Sequence, residues 1–260
     1  MMRIYGRVSG ETLTEGNVDE DCEQTCFNRD DCILAYFNEQ DHCILLDFNS
    51  TQTVEVVETT RAERLFVSFK SLSLDCPDYK FITLLVNMGP DPIQWTKTGS
   101  TWNFKKCVGD WKMFKRSYAD REITVCMRPF RFINITRSEG FAYCKSIGYN
   151  VTGVATAIEA KWLFGTYTNK LKMDTGLFID GERDCHPPGT NCTNFKWTDG
   201  YTEGIDFWDA AGLSWRPSAE AKTEDCLASG WYSTWGVIIS NILCDDTSAQ
   251  QGVVCGYQLE

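Results

Sequence analysis

The chain has 260 residues, of which 43% are hydrophobic, and a formal net charge of -11. The length fits one large domain or two of ordinary size, and the apolar content is that of a globular protein, which excludes a disordered chain. The acidic balance excludes nucleic acid and anionic membrane surfaces as natural partners, and no apolar run is long enough for a membrane span.

Two domains are favoured. All nine tryptophans lie at or beyond Trp95, and residues 1–70 carry 14 acidic against 6 basic side chains. The thirteen cysteines also fall in two rhythms: Cys22, Cys26, Cys32 and Cys43 crowd together, whereas Cys107, Cys126, Cys144, Cys226, Cys244 and Cys255 are spread over the remainder. No pair has the two-residue spacing of a zinc knuckle or a redox centre. The pattern predicts an α+β protein of two disulfide-stapled domains in an oxidising, extracellular (secreted) compartment. Met1 to Gly6 show no apolar signal core, so an upstream leader or another export route is expected. Asn-X-Ser/Thr acceptors at Asn49, Asn134, Asn150 and Asn191 agree with secretion as a glycoprotein.

Along the chain, Asn17-Val18-Asp19-Glu20 reads as a helix start with a capping box. Cys22 and Cys26, four apart, share one face of that helix. Cys32 to Phe37 and Cys43 to Leu46 read as two strands joined by the polar turn Asn38 to His42. A helix with two thiols on one face, laid over a hairpin with one thiol per strand, predicts nested bonds, Cys22–Cys43 and Cys26–Cys32. A tetrathiolate zinc site is the alternative, disfavoured because structural zinc sites usually use close-spaced cysteine pairs. Val54-Glu55-Val56 and Leu65 to Phe69 add strands. This four-cysteine pattern over residues 1–70 resembles the PAN/apple family of adhesion modules. The resemblance implies a small helix-on-sheet domain that binds proteins or carbohydrates and performs no chemistry; the bland reading is a disulfide-stabilised spacer.

Residues 71–106 read as a connector: Cys76-Pro77, then Gly89-Pro90-Asp91-Pro92, then a hairpin of Ile93 to Lys97 and Trp102 to Lys106. Cys76 has no evident partner; Cys107, a second chain (a disulfide-linked dimer, as in a structural or matrix component) or no bond at all are the alternatives. The locally basic stretch Lys105 to Arg137 is interspersed with apolar residues and reads as a solvated hairpin face.

From residue 107 on, the strands Trp111 to Phe114 and Thr124 to Met127 look clamped by Cys107–Cys126. Ser138 can cap a helix through Phe141, Ala142 and Cys144, and Ala157 to Tyr167 reads as a second helix. Phe178-Ile179-Asp180-Gly181 is a short strand, Trp197-Thr198-Asp199-Gly200 closes another with a turn, and Phe207 to Trp235 is aromatic-rich and poorly periodic. The chain ends in a strand, Gly252 to Tyr257. Cys185 and Cys192 are close enough to close a local loop, Cys185–Cys192.

This order of signals over residues 107–260, with Glu224-Asp225-Cys226, Cys244 and the terminal Val254-Cys255-Gly256, resembles the C-type lectin-like domain. The resemblance implies the pairs Cys144–Cys255 and Cys226–Cys244 and a long loop, about 206–243, as the binding surface for a protein or glycan ligand. Sugar-binding members hold calcium through Glu-Pro-Asn, an acid before the third core cysteine, and Trp-Asn-Asp. Here those places fall on Ala219-Glu220-Ala221, Glu224-Asp225 and Ile239-Ser240-Asn241. Calcium needs six to eight oxygens, so Glu224, Asp225 and Asn241, with Glu220 after a one-residue register shift, make a weak calcium candidate. No cofactor is expected, and the usual calcium-dependent carbohydrate site is expected to be missing. The competing reading is a calcium-dependent lectin with a degenerate site. Trp197, Trp208, Trp215 and Trp231 could stack on sugar rings; Trp197 and Trp231 suit the core beneath the loop, and Trp208 suits exposure best. The histidines, His42 and His186, sit in no nucleophile or metal motif, and no phosphate loop, nucleophile elbow or dinucleotide fingerprint occurs. An enzyme is not expected.

Overall fold

The computed structural model describes residues 1–9, 21–37, 42–70, 84–86, 92–168, 175–184, 194–204, 214–215, 224–232, 236–247 and 250–259. The fold is α+β, mostly strands with three α-helices among the described residues. It divides into two compact units, Met1–Asp110 and Trp111–Glu260.

The first unit contains β1 (Met2–Ser9), α1 (Cys22–Asn28), β2 (Cys32–Phe37), β3 (Cys43–Asp47), β4 (Thr53–Glu58), a 3-10 turn (Arg61–Glu63) and β5 (Phe66–Phe69). The short pair β6 (Leu85–Val86) and β7 (Ile93–Gln94) follows, then β8 (Thr96–Thr98) and β9 (Thr101–Lys105). Seven strands form one sheet in the order β3-β2-β5-β1-β4-β9-β8. Side chains alternate across it. Ile4, Val56, Val67, Phe69, Trp102 and Phe104 enter a buried cluster with Trp95, whose ring lies 4.8 Å from Phe69 and 5.2 Å from Phe104. On β1, Arg3 and Tyr5 alternate with Ile4 and take the opposite face, where the Glu23 carboxylate of α1 accepts hydrogen bonds from Arg3 and Ser68.

Helix α1 has seven residues, too few to be stable alone in water. The described helix begins at Cys22, capped by Asp21, whose carboxylate accepts from the Gln24 N–H at 3.1 Å. The expected start at Asn17 lies outside the described residues. The bonds Cys22–Cys43 and Cys26–Cys32 suture the helix to the β2–β3 hairpin, and all four cysteines are buried with Ala35 and Leu45. The hairpin expected in the connector is an integral part of this sheet. β9 pairs with β4, with Trp102 opposite Val56 and Phe104 opposite Val54. The physical reason is burial: the alternating Trp102 and Phe104 complete the apolar cluster.

The second unit contains β10 (Lys112–Ser117), β11 (Glu122–Arg131), α2 (Arg137–Ser146), β12 (Asn150–Val151), α3 (Ala157–Thr168) and β13 (Thr175–Arg183). It continues with β14 (Phe195–Lys196), β15 (Ser214–Trp215), β16 (Cys226–Tyr232), β17 (Gly236–Ile242) and β18 (Gln250–Leu259). Its sheet runs β10-β11-β18-β13-β16-β17-β15, with β12 beside β18 and β14 beside β13. Val125, Met127, Leu163, Ile179, Leu227, Ile239 and Val254 form the centre of its core. Cys144–Cys255 ties α2 to β18, and Cys226–Cys244 joins the start of β16 to the segment after β17. Cys107 and Cys126 are each disulfide-bonded. Cys76, Cys185 and Cys192 lie outside the described residues.

Two local expectations change. The cap of α2 is Thr136, not Ser138: Thr136 and Glu139 form a reciprocal capping box, satisfying two otherwise orphaned N–H groups. The stretch assigned to a long loop at 206–243 contains β16 and β17, paired from Cys226↔Ile242 to Tyr232↔Gly236. Leu227, Ile238 and Ile239 are buried there, so packing imposes strand on a stretch with little periodicity. Residues 205–213 and 216–223 lie outside the described residues.

The bridges close segments of 6, 18, 21 and 111 residues. In the chain-entropy account, replacing Cys144 and Cys255 together by serine should cost about 5 kcal/mol, against about 2 kcal/mol for Cys26 and Cys32. Denaturant transitions of the two variants check the ranking.

Candidate functional site

The candidate site is assembled at one end of β13 and β16. The two strands are antiparallel, but their register shifts between Ile179 and Glu182. Gly181 sits in this irregularity with φ +125°, and a Cβ there would lie 2.4 Å from the Leu227 side chain, so glycine is required. A bulge re-aims the side chains beyond it. Before it, Asp180 turns into the protein and accepts hydrogen bonds from the Thr198 and Asp199 N–H groups and the Thr198 hydroxyl. After it, Arg183 meets the acids beside Cys226.

Arg183 is the residue that the sequence reading missed. Its Nε donates to Asp225 Oδ1 at 2.9 Å, and one terminal nitrogen donates to the Glu224 carbonyl oxygen at 2.8 Å. The Arg183 side chain is 7% exposed and that of Asp225 55%, so the guanidinium is inside and the carboxylate remains at the surface. Its Cζ also lies 5.0 Å from the Phe195 ring centre. Asn241, buried on β17 opposite Leu227, donates from Nδ2 to the same Glu224 carbonyl at 3.4 Å. The structure thus brings together three candidates, Glu224, Asp225 and Asn241, around an arginine. Nearby in the chain, Arg137 pairs with Glu182 at 3.0 Å, and the Arg137 N–H donates to the Cys244 carbonyl. Burial pushes the Glu224 carboxyl above its ordinary range; Arg183 opposes that rise and Asp246 adds to it.

Part of the described set is already engaged by hydrogen-bond donors of the protein. A hard cation needs six to eight oxygens converging on it. Here a guanidinium donates to an Asp225 carboxylate oxygen, and the Glu224 carbonyl accepts from two N–H donors. A positive charge is already supplied by the protein, and a second beside it is repelled. Glu220, Trp208 and Asn191 lie outside the described residues. Asn49, Asn134 and Asn150 are exposed. Trp197 is half-buried, packs against the core and donates from its indole N–H to the Gly204 carbonyl at 3.1 Å; the side chains of Trp215 and Trp231 lie outside the described ones.

The frame around this site is a buried polar network. Arg116 on β10 is 1% exposed and Glu159 on α3 is 0% exposed, and they form a two-pronged pair at 2.8 and 3.0 Å. Arg116 also donates to Thr202 Oγ1 at 2.7 Å and to the Gly153 carbonyl at 2.9 Å. Asp199 accepts from the N–H groups of Gly153, Tyr201 and Thr202. A Cβ on Gly153 would lie 2.6 Å from the Trp197 ring. The Trp197-Thr198-Asp199-Gly200 turn is therefore fixed from both sides, by Asp180 and by Gly153.

With this geometry in place, the chain can be set beside known proteins. Residues 1–70 match the family model of a PAN-like domain. No curated protein matches the chain. Solved structures that resemble it include a Ca2+-dependent type II antifreeze protein in its Ca2+-free form, at 16% identity and TM-score 0.41, covering 58% of this chain and 99% of that one. The C-type lectin domain of murine dendritic cell inhibitory receptor 2, in complex with N-glycan, gives 18% identity and TM-score 0.39 over 59% of this chain and 99% of that one. The C-type lectin CEL-I from Cucumaria echinata gives 19% identity and TM-score 0.38 over 60% and 99%. The PAN-like match spans the helix-and-hairpin part of the first unit, including the bridges Cys22–Cys43 and Cys26–Cys32.

Removing one partner of the buried pair leaves an uncompensated charge. Arg116→Met should therefore cost about 3–5 kcal/mol, and adding Glu159→Gln should recover part of it; denaturant midpoints of the single and double variants test this. Glu224 gives a pH signature. Its raised folded pKa means that the folded state holds the proton more tightly, so its contribution is full below the unfolded pKa and lost as pH rises through the folded one. Glu224→Gln, which cannot titrate, should lose less stability than wild type as the pH rises from the ordinary glutamate range toward neutrality, read from thermal midpoints.

Proposed function

We propose that the protein is a non-catalytic extracellular recognition or adhesion protein. In this reading a PAN-like module precedes a C-type lectin-like domain, which binds a protein or glycan ligand through the segment between β14 and β16 without the usual calcium-dependent sugar site. The observation that carries the second half of the reading is the Arg183 guanidinium seated on Asp225 and the Glu224 carbonyl. It engages one carboxylate oxygen of Asp225 and the Glu224 backbone carbonyl, and it sets a positive charge beside the acids that a calcium ion would need. Support for the compartment comes from the buried bridges of both units, which persist where the medium is oxidising. No helix among the described residues is long and apolar enough to cross a membrane.

The deciding measurement is the thermal midpoint of the oxidised protein with millimolar calcium and with a chelator. The expected result is no difference, with capture on a glycan array unchanged by the chelator. A ligand that binds only the folded state adds about 2.7 kcal/mol at a hundredfold excess over its dissociation constant. A clear rise with calcium would overturn the reading in favour of a calcium-dependent lectin. Exchanging residues 206–223 for a Gly-Ser linker should abolish ligand capture while leaving the main unfolding transition in place.

A further inference from the structure

We propose that the first unit carries a second, separate binding site, specific for an anionic sugar, in an open cavity beside the 3-10 turn. The cavity has a volume of about 680 Å3 and is lined by Tyr5, Arg61, Ala62, Arg64 and Phe66, a size that suits a small ligand. Its floor is aromatic. Tyr5 on β1 and Phe66 on β5 are direct cross-strand partners, and their ring centres lie 4.9 Å apart. They stand on the face opposite Ile4 and Val67, so they are not part of the core. Arg3 sets its Cζ 5.2 Å from the Phe66 ring centre and is tied to Glu23, so it braces the floor and its charge is already paired.

The rim is cationic. Arg61 opens the 3-10 turn and Arg64 caps its end; both are exposed and both line the cavity. Among the described residues neither has a carboxylate partner. The acid between them, Glu63, is engaged elsewhere: its Oε1 accepts from the Thr60 N–H at 3.1 Å and the Thr60 hydroxyl at 3.2 Å. Arg64 has φ 58° and ψ 17°, a left-handed conformation in which glycine is the ordinary occupant. An unfavourable backbone conformation that presents a charged side chain to a cavity is a mark of a binding site.

Two guanidinium groups without a carboxylate partner among the described residues, lining one cavity with two rings, define the ligand chemistry. Guanidinium recognises carboxylate or sulfate in a two-pronged fashion, and the rings offer an apolar platform for the C–H face of a pyranose. Residues 1–70 carry 14 acidic against 6 basic side chains, Arg61 and Arg64 among the latter. That surrounding field repels a long polyanion and leaves room for one compact anionic group. The shared chemistry is a pyranose sugar with a single carboxylate or a single sulfate ester.

The test is titration of the full chain, followed by NMR, with N-acetylneuraminic acid, 6-sulfo-N-acetylglucosamine, neutral N-acetylglucosamine and a glutamate-rich peptide. The expected result is that one charged sugar binds at least about tenfold more tightly than the neutral one, and that Arg61→Ser and Arg64→Gly each weaken it about tenfold. The carboxylated or the sulfated sugar binding alone supports the site and names its anion. Arg64→Gly relieves the left-handed backbone, so its melting temperature should hold or rise while binding falls, which separates lost recognition from lost fold. Arg7→Ser, on the same strand but outside the cavity lining, should bind as wild type. Binding that survives both cavity variants, charged sugars no better than the neutral one, or a peptide bound as tightly as the sugars would each overturn the proposal. Exchange of residues 206–223 should leave this binding intact, so its failure is distinct from failure of the loop reading.

Discussion

The buried contact between Arg116 and Glu159 constrains the second unit more than any other. A charged pair out of water is tolerated only when nearly every donor and acceptor is matched. Here the guanidinium spends its nitrogens on both oxygens of Glu159, on Thr202 and on the Gly153 carbonyl, and Glu159 also accepts the Ala155 and Thr156 N–H groups. One ion pair thereby joins β10, the start of α3 and the turn at Asp199 to Thr202. Asp199 and Asp180 extend the same logic, each caging a stretch of backbone N–H groups. The turn after β14 is held by hydrogen bonds on both sides, to Asp180 and from the Gly153 N–H.

That bracing matters for recognition. The bulge at Asp180 and Gly181 lets a single strand serve two ends: one side chain enters the polar frame, and another, Arg183, reaches the acids before Cys226. The candidate calcium residues are thus organised by a protein cation. The same strand that secures the fold decides the chemistry available beside the segment proposed to bind ligand.

The first unit solves a different problem. Its helix is too short to stand alone, and two disulfides with a half-sheet of small and apolar residues hold it down. This leaves the remainder of the helix face of the sheet, around Tyr5 and Phe66, free for another use. The core on the other face is dominated by Trp95, Trp102, Phe104 and Phe69, which is why residues that look like a connector in sequence belong to the sheet.

The sequence by itself determined the features that depend on short-range geometry. The four-residue spacing of Cys22 and Cys26 put both thiols on one helix face, and the hairpin thiols lay within reach of them; the 3.6-residue period marked α3; alternation marked β4 and β5. The sequence located the polar set Glu224, Asp225 and Asn241 but not its meaning. Only the tertiary structure decided that Arg183 faces these acids across a strand pair, that Arg116 finds Glu159 43 residues away, and that β16 and β17 run through a stretch with weak periodicity. It also chose Thr136 over Ser138 as a cap, since both are good caps and only the reciprocal bond to Glu139 distinguishes them. The physical reason is common to all four. Register and long-range charge pairing are set by the summed packing and hydrogen-bond satisfaction of distant segments, and a sequence window records only local preferences.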